Sequence, residues 1–316
     1  MLRSMYSGIS GLRNFQTKLD VIGNNIANVN TYGFKKGRTI FKDLISQSVA
    51  GASGNTGTRG GVNPKQVGLG SQIAAIDTIH LGGSTQFTGN TLDMAISGDG
   101  FFQLGEYDED GADGPISKIE YTRAGNFYMD NLGYLVNGDG KYVVGVGGAA
   151  DYDPTADYDD GDFPYVNDDG TGLDLMDPRE DYIALAQDPA EYNRIVIPTT
   201  AQSMSVGQDG TVTFVDENGE LKYAGTLVMA KFPNPGGLDK VGGNYYQESA
   251  NSGAPVRNLA TEGGIGKTES GFLEMSNVDL AEEFTEMIVA QRGFQANTRI
   301  ITTSDEILQE LVNLKR

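Results

Sequence analysis

The chain contains no cysteine. That absence excludes disulfide cross-links, thiolate metal sites and cysteine nucleophiles together. Histidine is nearly as scarce, with His80 standing alone. A multi-histidine metal site is therefore impossible, and after Thr78 and Ile79 the residue reads as part of a strand rather than as a catalytic base. No run of eighteen apolar residues occurs, so no membrane insertion is expected. The first ten residues hold neither a continuous apolar core nor a small-residue cleavage site, and composition alone would place the chain in the cytosol. Basic charge is also in deficit: 23 Lys and Arg stand against 43 Asp and Glu, a net charge of −20. Nucleic acid is not an expected partner, because phosphate binding needs clustered Lys and Arg.

At 316 residues, with 38% hydrophobic residues and 44 glycines, the composition favours one domain with extensions, built from many turns and short strands. The two ends differ from that average. Leu12, Phe15, Leu19, Ile22, Ile26 and Val29 recur in alternating steps of three and four, the seam of a helix that needs a partner helix. Leu2, Met5 and Ile9 extend the seam backward with one shift of phase. At the other end Leu280, Met287, Phe294, Ile301 and Leu308 recur every seventh position, widened by Phe284, Ile300, Ile307, Leu311, Val312 and Leu314. Asp279 with Glu282 makes a helix start, and Lys315 with Arg316 suits the negative pole at the helix end. The fold class expected is α+β, with the terminal helices pairing as a coiled-coil-like inner domain.

Between the helices the pattern changes. Phe41 to Val49 reads as one more short helix, broken by the Gly, Ser, Thr and Asn cluster of residues 51–63. From Gly70 alternation takes over. Leu92 to Ile96, the turn Ser97-Gly98-Asp99-Gly100 and Phe101 to Leu104 read as a strand and its return, and residues 210–223 as a hairpin around Glu217-Asn218-Gly219. Residues 151–191 carry fourteen acids against Arg179 alone, a solvated outer face, whereas the first fifty carry seven basic against two acidic residues. The division expected is a helical domain with linker at 1–69 and 272–316, a central all-β domain at 70–147 and 196–271, and an acidic surface insertion at 148–195.

The stretch Ala27-Asn28-Val29-Asn30-Thr31-Tyr32-Gly33-Phe34-Lys35 closely resembles the signature that bacterial flagellar rod and hook axial proteins carry after their first helix. Ala27, Asn28, Thr31, Gly33, Phe34 and Lys35 are its family residues. Residues 276–316 resemble the matching C-terminal end, and LDMAISGDGFFQL and YTRAGNFYMDNLGYLV resemble the family's central domain. The resemblance implies a structural subunit, not an enzyme, without cofactor. It implies a homopolymer of identical subunits joined to flagellar rod, hook-cap and hook–filament junction proteins. It further implies export through the type III gate to the extracellular flagellum without a cleaved signal, and Phe41 and Ile45 match the family's short Phe-x-x-x-apolar export motif. Hook is the first reading and distal rod the second. Distal-rod proteins carry an extra element after the first helix that shorter-linked hook proteins lack. For the assembly interface the residues expected are Leu12, Phe15, Leu19, Ile22, Ile26, Val29, Met287, Phe294, Ile301 and Leu308.

Other chemistries fit less well. Gly145 to Ala150 matches Gly-x-Gly-x-x-Ala after a strand, yet Asp151-Tyr152-Asp153-Pro154 cannot open the helix a pyrophosphate requires. Gly263 to Thr268 lacks the leading glycine of a phosphate loop, since Thr261 occupies that place, and reads as a turn before a strand. Neither the register set by Gly170 nor that set by Gly161 supplies the ligands of an EF-hand; a calcium site of another geometry stays open. A secreted surface-binding module or adhesin is the alternative of another class, but it leaves helices at both termini unexplained.

Overall fold

The computed structural model describes residues 2–55, 57–107, 116–146, 183, 185–189, 192–217 and 219–314. Most of the acidic segment 148–195, with the calcium reading attached to it, lies outside the described residues, as do Lys315 and Arg316. The chain forms two compact units, one of residues 1–29, 35–79 and 278–316, the other of 30–34 and 80–277. Among the described residues no helix is long and apolar enough to cross a membrane.

The first unit holds both terminal helices, α1 (Leu2–Ala27) and α2 (Leu280–Asn313). Asp279 caps α2, its side chain accepting from the backbone N–H of Ala281 at 2.8 Å and of Glu282 at 3.3 Å. This satisfies two of the donors that a helix start leaves orphaned. Beside the helices runs a two-stranded ribbon. β1 (Gly37–Asp43) pairs antiparallel with β4 (Ser71–Thr78), and β2 (Ser46–Ala50) pairs with β3 (Lys65–Gly68). The short helix expected at 41–49 is therefore strand. Thr39, Ile40 and Phe41 face Ile76, Ala75 and Ile73 across the ribbon, and these β-branched and aromatic cross-strand partners decide the conformation. Beyond β2 and before β3, within the cluster expected to break the chain, Ser53 and Val62 form an antiparallel bridge. Because β4 returns to β1, the unit ends at Ile79 and not at residue 69.

The second unit is β throughout its longer elements. Its spine is the strand Leu221–Lys231, which pairs with Thr211–Val215, Tyr142–Val146, Phe101–Tyr107 and Val256–Leu259. The spine is covered on both faces, so burial runs almost unbroken from Tyr223 to Ala230 instead of alternating. The hairpin expected around residue 218 forms, with Thr211–Val215 returning into the spine. The one expected at 92–104 does not. Met94–Ser97 pairs with Lys267–Ser270, while Phe101–Tyr107 pairs with Ile116–Thr122. Gly98 and Gly100, at φ of 127° and 137°, turn the chain between two different pairings. Phe272–Glu274 pairs with Thr85–Phe87 inside this unit, so the return to helix follows Asn277, not residue 271. His80 lies just past β4 and not within a strand, its ring set against Phe101 and Tyr246 at centroid distances of 5.7 and 5.3 Å. Gly263 and Gly264 turn into the strand Lys267–Ser270, as expected of that stretch.

Candidate assembly interface

The two terminal helices run antiparallel. Gly8 faces Ile301, Gly11 faces Asn297, Phe15 faces Gly293, and Lys18 pairs with Glu286 at 3.0 Å. Ile22 of α1 is buried, Leu12, Phe15, Leu19 and Ile26 are half-buried, and so is Val29 just beyond the helix. On α2, Met287, Ile301 and Leu308 are half-buried, but Phe294 is exposed. Gly293 takes its place: the Phe15 ring comes within 2.5 Å of where a Cβ on Gly293 would stand. Two aromatic rings would not fit there. The other inward positions of α2 are Glu283, Ala290, Asn297 and Ser304, also seven apart and all small or polar. A search for apolar spacing passes over them. Phe284, Ile288, Val289, Ile300, Ile307 and Leu311 are exposed on α2, against the expectation that several of them widen the inner stripe.

Sequence reasoning also missed Asn25, which sits among the seam residues of α1 and is 1% exposed. Its amide donates to Gly37 O at 2.9 Å and to Glu283 Oε2 at 3.2 Å, and its Oδ1 accepts from the Gly37 N–H at 3.0 Å. One side chain thus ties the end of α1 to the start of β1 and to the first turn of α2. Burial raises the Glu283 carboxyl above the usual value of 4.5, opposed by the Asn25 hydrogen bond and the Lys36 charge. An acid that binds its proton more tightly when folded adds stability below its unfolded pKa and loses that contribution as pH rises through the folded value. Glu283→Gln should therefore raise the Tm relative to the parent at neutral pH, the gap closing as pH falls toward about 4. Thermal unfolding of both proteins across that range checks it. Parallel pH profiles would contradict the assignment.

The signature divides between the units. Ala27 ends α1, and Asn28 closes it by donating from its amide to Asn24 O at 2.9 Å. Thr31 to Phe34 belong to the β unit, and Lys35 resumes the helical one, fully buried. Gly33 has φ of +69°, and a Cβ there would stand 2.5 Å from the Ala124 nitrogen. Its N–H donates to Glu274 O at 2.8 Å. Glu274 is itself a hub: Oε1 accepts from the Gly83 N–H at 2.9 Å and Oε2 pairs with Arg123 at 3.2 Å, both side chains almost wholly buried. Arg123 also donates to Gly98 O at 2.7 Å and to Ile96 O at 3.4 Å. Neither Arg123 nor Glu274 announces itself locally, since they stand 151 positions apart. The export-motif residues lie on the ribbon: Phe41 in β1 with its ring 6.2 Å from that of Phe15, and Ile45 between β1 and β2, 81% exposed.

These features are those of a structural subunit: terminal helices paired with each other, apolar side chains of α2 left exposed, and a separate β unit. Residues 5–35 match the family described as flagella basal body rod protein, 95–214 the flagellar hook protein FlgE/F/G D1 domain, and 269–314 the flagellar basal body rod FlgEFG protein C-terminal family. Over the whole of both chains the protein is 53% identical to the flagellar basal-body rod protein FlgG of Bacillus subtilis. It is 33% identical, again over the whole of both chains, to the flagellar hook protein FlgE of Borreliella burgdorferi, and 33% identical to that organism's FlgG. The chain belongs to the flagellar rod and hook protein family. It is a structural component of the rod and hook assembly and not an enzyme.

Proposed function

We propose that the chain is a rod subunit of the flagellar axial tube, polymerising with identical copies through its terminal helices. The observation that carries this is the 53% identity over the full length of both chains to a relative named as a rod protein. The ribbon of β1 to β4 supports it, since an extra element after the first helix is what the family resemblance attaches to the distal rod. Hook, the first reading of the sequence, becomes the second here, supported by the full-length match to a hook protein.

In this reading α1 and α2 pair in a coiled-coil-like manner as the inner layer. Phe284, Ile288, Ile300, Ile307 and Leu311 then meet neighbouring subunits, each burial contributing about 1.5–3 kcal/mol before ordering costs. Such contacts join different patches on successive copies and build an open helical polymer. The exposed Phe41 and Ile45 are the export signal, presented to the type III gate before folding. The tube ends against other rod, hook-cap and junction proteins outside the cell membrane.

Electron microscopy of the full chain beside a version lacking 1–30 and 280–316 tests the reading. Straight rigid tubes from the full chain alone are expected. Curved tubes would move the assignment to the hook, and tubes from the truncated version would remove the terminal helices from the interface.

A further inference from the structure

The β unit holds a polar cleft of about 310 Å³. Residues 31–32, 137–139 and 243–245 line it, together with Leu104, Ala124 and Asn126, and all of them belong to that unit. Its walls are bonded to one another. Asn137 holds the turn from within: its Oδ1 accepts from the backbone N–H of Asp139 at 3.0 Å and of Lys141 at 2.9 Å, and its amide donates to the Tyr245 hydroxyl at 2.6 Å. That hydroxyl in turn donates to Asp139 Oδ2, and burial with this bond pushes its pKa upward, so it stays protonated. Asn244, at φ of 65°, donates from its amide to Tyr32 O at 3.0 Å, while its carbonyl accepts from the Thr122 hydroxyl at 3.1 Å. The cleft is thus fixed in shape before any ligand arrives.

Three polar groups of the lining are left over. Among the described residues neither the Asn126 amide nor the Tyr32 hydroxyl has a hydrogen-bond partner, and Asp139 Oδ1 has none either. Together they offer a mixture of donors and acceptors. Charge narrows what can use them. Of the described lining residues none is Lys or Arg and Asp139 is the one acid, so an anion is repelled. A cation is not favoured, because Lys141, ion-paired with Glu120, already sets its ammonium 4.5 Å from the centre of the Tyr245 ring. A neutral ligand is left, one whose polar groups both donate and accept and whose apolar edges suit Leu104, Ala124 and the tyrosine rings.

We propose that this cleft binds a neutral sugar, one pyranose unit with its hydroxyls on Asn126, Asp139 and Tyr32. Adjacent ring hydroxyls each donate and accept, and the C–H faces between them are apolar, which matches the lining group by group. Ligand clefts run from roughly 300 to 1,000 Å³, so this one, near the lower bound, takes a single sugar unit rather than a long chain.

Saturation-transfer difference NMR on the full chain tests this, with the methyl glycosides of glucose, galactose and mannose as neutral probes, glucosamine as the cationic one and glucuronate as the anionic one. At least one neutral glycoside should bind with a Kd on the order of 1 mM, the affinity that a ligand of about a dozen heavy atoms reaches at ordinary efficiency. Both charged sugars should bind more weakly. Asn126→Leu should weaken binding about tenfold, since it removes a donor and an acceptor together. Gly138→Leu should abolish binding without deleting any hydrogen-bonding side chain. Gly138 lines the cleft, and a Cβ there would stand 3.8 Å from the Tyr128 ring and 4.0 Å from Asn126 Nδ2, so the larger side chain occupies the space beside that amide. Should Asn126→Leu fail to fold, Gly138→Leu decides. No transfer to any neutral glycoside, tighter binding of glucosamine or glucuronate, or undiminished binding in Gly138→Leu overturns the proposal.

Discussion

Glu274→Ala is expected to destabilise the β unit by about 3–5 kcal/mol, because removing one partner of a buried ion pair strands the other charge in a dry interior. Arg123 would keep its bonds to Gly98 O and Ile96 O, but those neutral acceptors do not compensate a full positive charge. The substitution also orphans the Gly83 N–H, which donates to the lost carboxylate. Urea unfolding, followed by the fluorescence of the unit's tyrosines, should show the midpoint fall with little change in slope. Glu274→Gln keeps an acceptor for Gly83 and should cost less. Replacing both residues with apolar groups, Arg123→Met with Glu274→Leu, should recover much of the loss, since desolvation of the pair largely offsets its attraction. A loss below about 1 kcal/mol for Glu274→Ala would mean that the arginine is solvated after all.

The second large effect belongs to the signature. Gly33→Ala should cost roughly 2–5 kcal/mol, from two separable causes. A Cβ in the left-handed region costs about 1–2 kcal/mol in any L residue. The rest comes from the Ala124 nitrogen and Arg123 carbonyl carbon, which stand 2.5 and 2.7 Å from that Cβ and belong to backbone that cannot swing aside. Gly219 supplies the control. Its φ is +80°, but nothing lies within 4 Å of its added Cβ, so Gly219→Ala should show the conformational cost alone. Equal Tm losses for the two variants would show that contact with Arg123 and Ala124 is not what requires glycine at position 33.

Much of this architecture is written in local spacing. The steps of three and four in α1, and Asp279 before α2, predict two helices that the structure contains, because a helix face and a helix cap are properties of a few neighbouring residues. The hairpin at Gly219 is legible for the same reason. The ribbon is not. Phe41 to Val49 is compatible with helix until Ile73 and Ile76, some thirty positions on, supply the strand that pairs with it. The strand–turn–strand reading of residues 92–104 fails similarly, since both strands find better partners farther along the chain.

The interface divides along the same line. An apolar repeat identifies Ile22, Met287 and Ile301 but cannot tell Phe294 from Gly293, because that choice depends on where the Phe15 ring of the other helix falls. Asn25 and Glu283, 258 positions apart, and Arg123 with Glu274 are polar, so no hydrophobic period marks them. Local spacing suffices for the two terminal helices, the inward face of α1, the hairpin at Gly219 and the family to which the signature belongs. These follow from covalent neighbours and the 3.6- and 2-residue periods. Which faces meet, where glycine is obligatory and which buried charges find partners are set in the folded chain, because they depend on distances between residues far apart in sequence.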